Sequence, residues 1–220
     1  MKSKNLQFEF SKNYENATVS AQGSMTFGES SWIVAIMGES GAGKTTLARW
    51  LAGLLEQTTG LLKFDDEVWC DSSKNIFISP QSRRIGYLGQ GDFLFPHLTV
   101  EENIAYGLRL SSKTERQVRV AALLQLIGLK DFAQRKPGTL SGGQRRRVAL
   151  AQTLAIKPRI LFLDEPLTGL DHATKGTLLQ DLKVWLETFS IPAVIITHDL
   201  NEARALTDRV HTFENRVLRI

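Results

Sequence analysis

A glycine-rich segment from Gly38 to Thr45 is the feature that most constrains how this chain of 220 residues can fold. It reads Gly-Glu-Ser-Gly-Ala-Gly-Lys-Thr and follows the apolar run Trp32 to Met37, which predicts a buried strand. Its form, G-x-x-x-x-G-K-[ST] between a strand and a helix, is typical of a phosphate-binding loop. Glycines let backbone N–H groups converge on phosphate oxygens, and the N-terminus of the next helix adds partial positive charge. The alternative is a glycine-rich turn that binds nothing.

The side chains at the end of this segment predict the chemistry of the bound group. Lys44 is expected to reach the β- and γ-phosphates of a nucleotide, and Thr45 to be a ligand of Mg²⁺. The sequence therefore predicts a nucleotide as the ligand. The residues expected to contact it here are Gly38, Glu39, Ser40, Gly41, Ala42, Gly43, Lys44, Thr45 and Thr46.

Two further apolar runs, Ile160 to Leu163 and Ala193 to Ile196, are also followed at once by polar residues. Continuous rather than alternating hydrophobicity is typical of strands covered on both faces, as in a parallel sheet. Such sheets bind ligands beyond the carboxyl ends of their strands. Asp164 and His198 stand at these ends, as Gly38 does after the first strand.

Three polar side chains at the strand ends are candidate catalytic or metal-binding groups. Asp164 is expected to bind Mg²⁺ directly or through water, because an unpartnered carboxylate at a buried strand end is costly to desolvate. Glu165 could orient or deprotonate the water that attacks the γ-phosphorus, and His198 could donate a hydrogen bond to the γ-phosphate. The alternatives are a solvated loop or helix cap for the acids and a structural role for the histidine.

Hydrophobic spacing predicts helices between the strands. One begins at the glycine turn and carries Leu47, Leu51, Leu54 and Leu55, with Gly53 tolerated inside it. This helix would hold the phosphate-binding loop at its N-terminus.

Two later helices define a separate helical segment. One runs from about Thr114, a possible cap, to Leu129, with Gly128 as its end. The other follows the capping-box pattern at Ser141 and closes at Pro158. We therefore expect one domain over residues 1–220, with a helical subdomain inserted at about 91–157 between the core segments 1–90 and 158–220.

The overall composition narrows the class of protein. The 27 Lys and Arg and 23 Asp and Glu leave a net charge of +4, too mild to indicate a nucleic acid partner. Arg145 to Arg147 are interpreted as a solvated basic face.

Cys70 is the only cysteine, which excludes an intrachain disulfide and favours a reducing compartment. No apolar run approaches the roughly 20 residues of a membrane-spanning helix, and the start of the chain lacks the apolar core of an export signal.

A second glycine pair stands in the segment Leu140, Ser141, Gly142, Gly143 and Gln144. It opens a predicted helix and offers a second anion-binding terminus. One nucleotide does not need two such termini within one subunit. Each element is therefore interpreted as half of a site that is completed when two chains meet, the alternative being a simple helix cap.

In this order the motifs resemble those of the ATP-binding cassette (ABC) ATPase family across nearly the whole chain. The matching segments are Gly38 to Thr45 for Walker A, Gln90 for the Q-loop, Leu140 to Gln144 for the LSGGQ signature, Ile160 to Glu165 for Walker B, Leu167 to Asp171 for the D-loop and His198 for the switch histidine. The resemblance implies an α/β fold of the P-loop NTPase class with a mostly parallel core sheet and an antiparallel N-terminal β part. It also implies ATP and Mg²⁺ as the bound groups.

The resemblance implies a role for each matched residue at the ATP site. Glu165 would be the catalytic glutamate, and Lys44, Gln90 and His198 would complete the catalytic set. Gln90 would also reach Mg²⁺, which Thr45 and Asp164 are expected to bind.

The resemblance further implies a homodimer. Two cassettes would pair head to tail, so that each ATP lies between Walker A of one chain and the signature of the other. Ser141 would contact the γ-phosphate across this interface, and Asp171 would belong to the D-loop there.

Finer resemblance points to the importer branch of the family that serves oxyanions, above all molybdate, with sulfate, thiamine and polyamine importers as near relatives. It is carried by Trp69 to Ser73, Pro80 to Gln90 and Leu94 to Asn103. Membership would make the chain a peripheral subunit on the cytoplasmic side of the cell membrane. Its partners would be permease subunits and, indirectly, an extracytoplasmic solute-binding protein, with no nucleic acid.

The permease would dock through a coupling helix in a groove formed in part by Phe93, Phe95 and Pro96. Two alternatives remain open. The chain could be the ATPase of an exporter or lipoprotein-release system, or a cassette ATPase that works outside transport.

The chain departs from the family pattern at several points. Its D-loop reads Leu167-Thr168-Gly169-Leu170-Asp171 where Ser-Ala-Leu-Asp is more usual, so hydrolysis is expected to survive while interface coupling is less certain. Gly89 replaces the usual Phe before Gln90, which predicts a less packed hinge. The sequence ends at Ile220 without a C-terminal regulatory domain, so inhibition by cargo through such a domain is not expected. Tyr14 is the candidate to stack on adenine, the alternative being a core or surface role.

Overall fold

Eleven strands in the described part of the chain join into one mixed sheet. The computed structural model describes residues 3–15, 17–28, 30–55, 58–91, 94–108, 112–214 and 217–219. The strands are β1 (Lys4–Tyr14), β2 (Ala17–Phe27), β3 (Ile33–Gly38), β4 (Thr59–Phe64), β5 (Glu67–Asp71), β6 (Ile76–Phe77), β7 (Ile85–Leu88), β8 (Ile160–Asp164), β9 (Ala193–Thr197), β10 (Val210–Glu214) and β11 (Val217–Arg219). Their order across the sheet is β6-β5-β4-β1-β2-β11-β10-β3-β9-β8-β7.

Helices cover this sheet on both faces. They are α1 (Lys44–Leu51), α2 (Pro80–Arg83), α3 (Val100–Ala105), α4 (Lys113–Leu126), α5 (Gly142–Ala155), α6 (His172–Thr188) and α7 (Leu200–Leu206), with short 3₁₀ turns at Ser72–Lys74, Lys130–Phe132 and Pro137–Thr139. Within the described ranges, no helix has both the length and the apolar character needed to cross a bilayer.

Five strands at one side of the sheet run parallel, in the order β10-β3-β9-β8-β7. Every residue of β8 and β9 is buried, so the strands predicted from continuous apolar runs are confirmed. Val194 of β9 lies in register with Val34 on one side and Phe162 on the other. This register brings the carboxyl ends of β3, β8 and β9 to one edge of the sheet.

The strands β6-β5-β4-β1-β2 at the other side of the sheet are antiparallel, as predicted for the N-terminal part of the chain, and β11 joins the two sides by pairing parallel with β2 and antiparallel with β10. β1 pairs with β2 and β4, and β5 pairs with β4 and β6. In β1 the residues Leu6, Phe8 and Phe10 are buried and alternate with more exposed neighbours, the pattern of a strand with one face on the core. The end of β1 carries Tyr14 towards α1.

Alternate residues of the parallel strands pack into two hydrophobic clusters, one on each face of the sheet. In β8, Ile160 and Phe162 belong to a cluster that includes β1, β2 and α1. Leu161 and Leu163 belong to a cluster that includes α4, α5 and α6. Burial on both faces explains why these strands are apolar at every position.

The segment predicted to be helical, at about residues 91–157, is helical in its described part, which contains α3, α4 and α5 and no strand. Asn103 of α3 is fully buried and orders the loop before that helix. Its Oδ1 accepts a hydrogen bond of 2.7 Å from Phe95 N, and its Nδ2 donates to the carbonyls of Phe95, Leu98 and Thr99.

Two helix boundaries differ from the sequence prediction. α1 ends at Leu51, because Gly53 adopts a left-handed conformation with φ +73° and leaves Leu54 exposed. A Cβ at Gly53 would lie 2.8 Å from the Arg83 guanidinium, so a tertiary contact requires glycine there. The prediction that Leu54 and Leu55 continue this helix is therefore wrong.

The cap predicted at Thr114 is also wrong. Ser112 caps α4 instead, since its hydroxyl accepts a hydrogen bond of 3.1 Å from Glu115 N. The predicted end at Gly128 is confirmed by its φ of +69°, just beyond the last turn.

Candidate active site

The glycine-rich loop lies between β3 and α1, and Lys44 spans it. Lys44 is only 5% exposed, and its Nζ donates hydrogen bonds of 2.7 Å to the carbonyls of both Gly38 and Glu39. Burial lowers the pKa of Lys44, while the charges of Glu165 and Asp164 act in the opposite direction. The ammonium group is therefore held across the loop where it can meet phosphate oxygens.

Glycine is required at the start of α1 for two reasons. Gly43 has φ +109°, and a Cβ there would lie 2.6 Å from Val19 Cγ1 of β2. Gly43 is the N-cap residue and supplies no side chain to bond the first amides of the helix. Those amides and the helix dipole are the groups that bind anions at a helix N-terminus.

Asp164 ends β8 and is 1% exposed, and neither of its carboxylate oxygens forms a hydrogen bond of standard geometry with a described residue, although the Thr45 and Tyr87 hydroxyls are near enough to act on it. Burial raises the pKa of this carboxyl, and Glu165 raises it further, while the Thr45 hydroxyl and the charges of Lys44 and Arg146 lower it. A buried carboxylate without a partner is costly unless a cation binds it.

The residues around Asp164 fit Mg²⁺. This ion is usually held by one or two carboxylates together with phosphate oxygens and water, so it needs few protein ligands. Thr45 lies at the start of α1 and influences the Asp164 carboxyl directly. Tyr87 of β7 borders the same carboxylate, and burial, with the charge of Asp164, raises the pKa of Tyr87 to about 12.

Glu165 and His198, predicted from two different strand ends, meet in the structure. His198 Nδ1 lies 3.4 Å from Glu165 Oε1, and the Thr168 hydroxyl donates a hydrogen bond of 2.9 Å to Glu165 Oε2. Glu165 has φ +48°, and its backbone N–H donates to Ile196 O of the neighbouring strand. The glutamate is thus fixed in backbone and side chain beside the imidazole.

A buried group that the sequence analysis missed supports the strand end before His198. The Thr197 hydroxyl donates a hydrogen bond of 2.7 Å to Glu202 Oε2 and accepts one of 3.1 Å from Asp199 N. Glu202 also forms an ion pair of 2.6 Å with Lys175 of α6. The signal was the spacing of Asp199 and Glu202, which is typical of a helix start.

Ser141 and Gln144 form the predicted capping box at the start of α5, which is confirmed. Gln144 N donates to Ser141 Oγ at 3.2 Å, and Ser141 N donates to Gln144 Oε1 at 2.9 Å. Ser141 is exposed, whereas Leu140 and Gly143 are buried. A Cβ at Gly143 would lie 2.3 Å from Thr174 Cγ2, so this glycine lets α5 pack against α6.

Asp171 caps α6, the helix against which Gly143 packs. Its carboxylate accepts a hydrogen bond of 3.0 Å from Thr174 N, and hydrogen bonds from the Thr174 side chain and backbone lower its pKa. Gly169, two residues earlier, has φ +80°, a conformation that disfavours alanine. The sequence Thr168-Gly169 therefore suits the local backbone of this loop.

Gln90 is exposed and follows β7 after the buried Gly89.

The interpretation of Arg145 to Arg147 as a solvated basic face is wrong. Arg146 is 3% exposed and donates to backbone carbonyls, and Arg147 forms an ion pair of 2.7 Å with Asp181.

Tyr14 lies at the end of β1 with its ring half-exposed. Its hydroxyl is 3.4 Å from Thr46 Oγ1 in α1, so the aromatic ring lies beside the phosphate loop.

Phe93, predicted to help form a partner groove, lies outside the described residues. Phe95 packs against Tyr106, with 4.1 Å between ring centroids, and Pro96 is exposed.

Comparison with known proteins identifies relatives with these features. The family model described as ABC transporter matches residues 23–168 of this chain. The molybdenum import ATP-binding protein ModC of Pseudomonas fluorescens is 39% identical over 178 residues, which is 81% of this chain and 49% of that protein. The molybdate/tungstate import ATP-binding protein WtpC of Archaeoglobus fulgidus is 41% identical over 180 residues, which is 82% of this chain and 72% of that protein.

A solved structure gives the same result for the fold. The dimeric post-hydrolysis state of the ATP-binding cassette MJ0796 bound to ADP and Pi is similar with a TM-score of 0.75 and 29% identity, over 100% of this chain and 97% of that chain. The predicted P-loop NTPase fold is thereby confirmed. This chain spans about half the length of the ModC relatives that it matches. Since the family match includes the phosphate loop, the signature and Glu165, the chain belongs to the ABC transporter family.

Proposed function

We propose that this chain is the ATP-hydrolysing subunit of an ABC importer. The observation that carries the proposal is the buried, unpartnered Asp164 carboxylate beside Thr45 and Lys44 at the mouth of the phosphate loop. A cation that also binds phosphate would satisfy this carboxylate, and MgATP supplies both groups. Family membership and the similarity to an ADP-bound cassette support the same ligand.

Each loop residue has a defined task in nucleotide binding. The loop Gly38, Glu39, Ser40, Gly41, Ala42, Gly43, Lys44, Thr45 and Thr46 would surround the phosphates. Tyr14 would stack on adenine, since its ring lies next to Thr46. Thr45, Asp164 and Gln90 would hold Mg²⁺, whose chemistry when bound is to neutralise charge on the phosphate oxygens.

Glu165 is proposed as the general base of hydrolysis. Its side chain is 13% exposed and one oxygen lies beside His198, so the carboxylate is positioned by the protein while remaining reachable by water. Glu165 would take a proton from the attacking water, and His198 would hold the γ-phosphate by a hydrogen bond. Lys44 would stabilise the negative charge that moves onto the phosphate oxygens.

A homodimer is proposed because each chain has two glycine-rich helix starts, those of α1 and α5, whereas one nucleotide needs only one of them within a chain, and Ser141 at the start of α5 is exposed. The signature Leu140, Ser141, Gly142, Gly143 and Gln144 would contact ATP bound to the other chain in a head-to-tail pair. Asp171 would lie at the same interface in the D-loop. The similar cassette of known structure is described as dimeric, which supports this arrangement.

The helical segment is proposed as the part that meets the membrane permease. A groove of about 1260 Å³ lies between the core and this segment, with mainly apolar residues such as Tyr87, Tyr106, Leu108 and Val118 along it. An amphipathic coupling helix is the kind of partner that such a groove accepts. The subunit would then be peripheral on the cytoplasmic side of the membrane, with a solute-binding protein as an indirect partner.

Molybdate or a related oxyanion is proposed as the cargo. The support is the printed function of the ModC and WtpC relatives, which are molybdenum and molybdate/tungstate import proteins. Uptake of ⁹⁹Mo-molybdate by cells with and without the chain tests this assignment. Loss of uptake without the chain is expected, and unchanged uptake contradicts the assignment.

The Glu165→Gln variant tests the proposed chemistry. We expect unchanged ATP binding and a fall in turnover of at least about 100-fold, because the variant lacks the general base. The matched control is Glu9→Gln on the exposed face of β1, a residue with no assigned role in nucleotide binding or hydrolysis, which should keep wild-type turnover. Wild-type turnover in Glu165→Gln would contradict the role given to Glu165.

A further inference from the structure

Arg146 is a buried cation whose hydrogen bonds reach two separate loops of the active site. It lies in the second turn of α5, four residues after Gly142, and is 3% exposed. Its Nη1 donates to Gly91 O at 2.5 Å and to Gly89 O at 3.3 Å. Its Nη2 donates to Glu165 O at 3.0 Å, and its Nε donates to Pro166 O.

The carbonyl groups bound by Arg146 belong to Glu165 or to neighbours of Gln90 and Glu165, the two residues to which the proposed mechanism gives roles. Gly89 and Gly91 stand on either side of Gln90, and the remaining two carbonyls belong to Glu165 itself and to the next residue. The guanidinium also belongs to the helix that begins at the signature. One side chain therefore connects the loop of Gln90, the backbone of the base and the first turns of α5.

Arginine suits this task for a geometric reason. The planar guanidinium directs donors along fixed directions, so it can bind carbonyls of two loops at once, whereas a lysine ammonium is a single point of charge.

We propose that Arg146 is a positioning residue of the ATPase reaction: it holds the Gln90 loop and the Glu165 backbone in one arrangement and links both to the signature helix. The inference rests on the proposed roles of Gln90 and Glu165. Arg146 does not touch the reacting atoms, so its loss should act on turnover and leave the phosphate loop intact.

Arg146→Gln is compared with Arg119→Gln, a matched control on α4. Arg119 is also a partly buried arginine whose guanidinium donates to backbone carbonyls, those of Leu154 and Ala155 at the end of α5. We expect Arg146→Gln to lower kcat at least about tenfold with KM for ATP changed less than about twofold, because small misplacements of catalytic groups slow the chemical step. Arg119→Gln should keep wild-type kcat.

Hydrogen–deuterium exchange in the absence of nucleotide gives a readout that does not depend on activity. The amides of residues 89–91 and of Glu165, Leu167 and Thr168 should exchange faster in Arg146→Gln than in the wild type, and those in Arg119→Gln should not change. Arg146→Lys should be intermediate in both measurements, because it keeps the charge and loses the fork of donors.

Two results would overturn the inference. One is a folded Arg146→Gln with kcat within twofold of the wild type, and the other is unchanged exchange in both loops. If Arg146→Gln does not fold, Arg146→Lys decides, and wild-type kcat and exchange in that variant overturn the inference. Failure of the proposed base is a separate outcome, since it appears as retained turnover in Glu165→Gln and leaves the exchange data unaffected.

Discussion

Two helices of this chain begin at glycine-rich segments, and they begin in different ways. α1 starts after Gly43, which provides no side-chain cap, and the buried Lys44 of its first turn crosses the phosphate loop. α5 starts after Ser141, whose hydroxyl accepts a hydrogen bond from the backbone of Gln144 while the Gln144 side chain returns one. The first start has no side-chain partner for its first amides, and the second is largely satisfied by its own side chains.

The residues that surround the two helix starts also differ. The start of α1 lies beside the strand end that carries Asp164 and Glu165, so one chain brings together the residues proposed to bind the phosphates and Mg²⁺. The start of α5 packs through Gly143 on Thr174 and leaves Ser141 exposed. A glycine-rich pattern at a helix start is thus not one kind of site. Variants at the two starts should separate nucleotide binding from hydrolysis.

Lys44→Ala should have the largest effect, and on binding itself. Charge-assisted hydrogen bonds contribute about 1.5–3 kcal/mol each, so we expect the Kd for ATP to rise by about 100-fold. Isothermal titration of the purified chain with ATP measures the Kd. Lys130→Ala, an exposed lysine in a 3₁₀ turn of the helical segment, is the control that should bind ATP normally. A Kd for Lys44→Ala within threefold of the wild type would contradict the assignment of the loop.

Gly143→Ala should destabilise the start of α5 without weakening ATP binding. The new Cβ would lie 2.3 Å from Thr174 Cγ2, and such overpacking costs about 1–3 kcal/mol of unfolding free energy. Urea unfolding measures this loss. Adding Thr174→Ser, which deletes that methyl group, should restore most of the stability, and a double variant as unstable as Gly143→Ala would disprove the contact.

Gly142→Ala is the matched comparison, because its Cβ would meet Leu170 Cδ2 at 3.8 Å and Arg145 Nη2 at 3.9 Å, both ordinary van der Waals distances. It should therefore leave the free energy of unfolding unchanged within about 0.5 kcal/mol.

Asp164→Asn should change the stability of the nucleotide-free protein less than Gly143→Ala does, and in the opposite direction. Burial raises the pKa of Asp164 in the folded state, so the folded chain binds more protons here than the unfolded chain does. The penalty from this carboxylate is therefore fully present above its raised pKa and fades as the pH falls through that value. Asp164→Asn should raise the unfolding free energy at pH 7 by about 1 kcal/mol.

The stability gain from Asp164→Asn should shrink as the pH falls towards the ordinary range of Asp, near 3.9. The same variant should lose the extra stabilisation that Mg²⁺ with ATP gives the wild type, since the proposed metal ligand is gone. Thermal unfolding from pH 7 downwards, with and without MgATP, measures both effects. A variant less stable than the wild type at pH 7 without nucleotide would contradict the account of Asp164.

The parts of the fold that were predictable from sequence are those specified by local pattern. Continuous apolar runs predicted β3, β8 and β9, and the spacing from Ser141 to Gln144 predicted the capping box. The helix boundaries were less accurate for tertiary reasons. The end of α1 depends on the approach of Arg83 to Gly53, which lies thirty residues away in sequence and leaves no local signal.

The candidate site was predictable residue by residue but not in its connections. Lys44, Asp164, Glu165 and His198 each follow a strand or begin a helix, so their meeting at one sheet edge follows from topology. The burial of Arg146 does not follow from topology, and the local sequence does not indicate it, because a run of three arginines is typical of a solvated surface. It arises only because two loops bring their carbonyl groups to one face of α5.

The central claim is that one chain carries two half-sites and that hydrolysis needs one half from each of two chains. Equal amounts of Lys44→Ala and Ser141→Arg chains, each inactive alone, should be mixed and their ATP hydrolysis measured. Random pairing leaves one intact site in half of the dimers, so turnover should recover to about a quarter of the wild-type value. A mixture no more active than its separate components would contradict the claim.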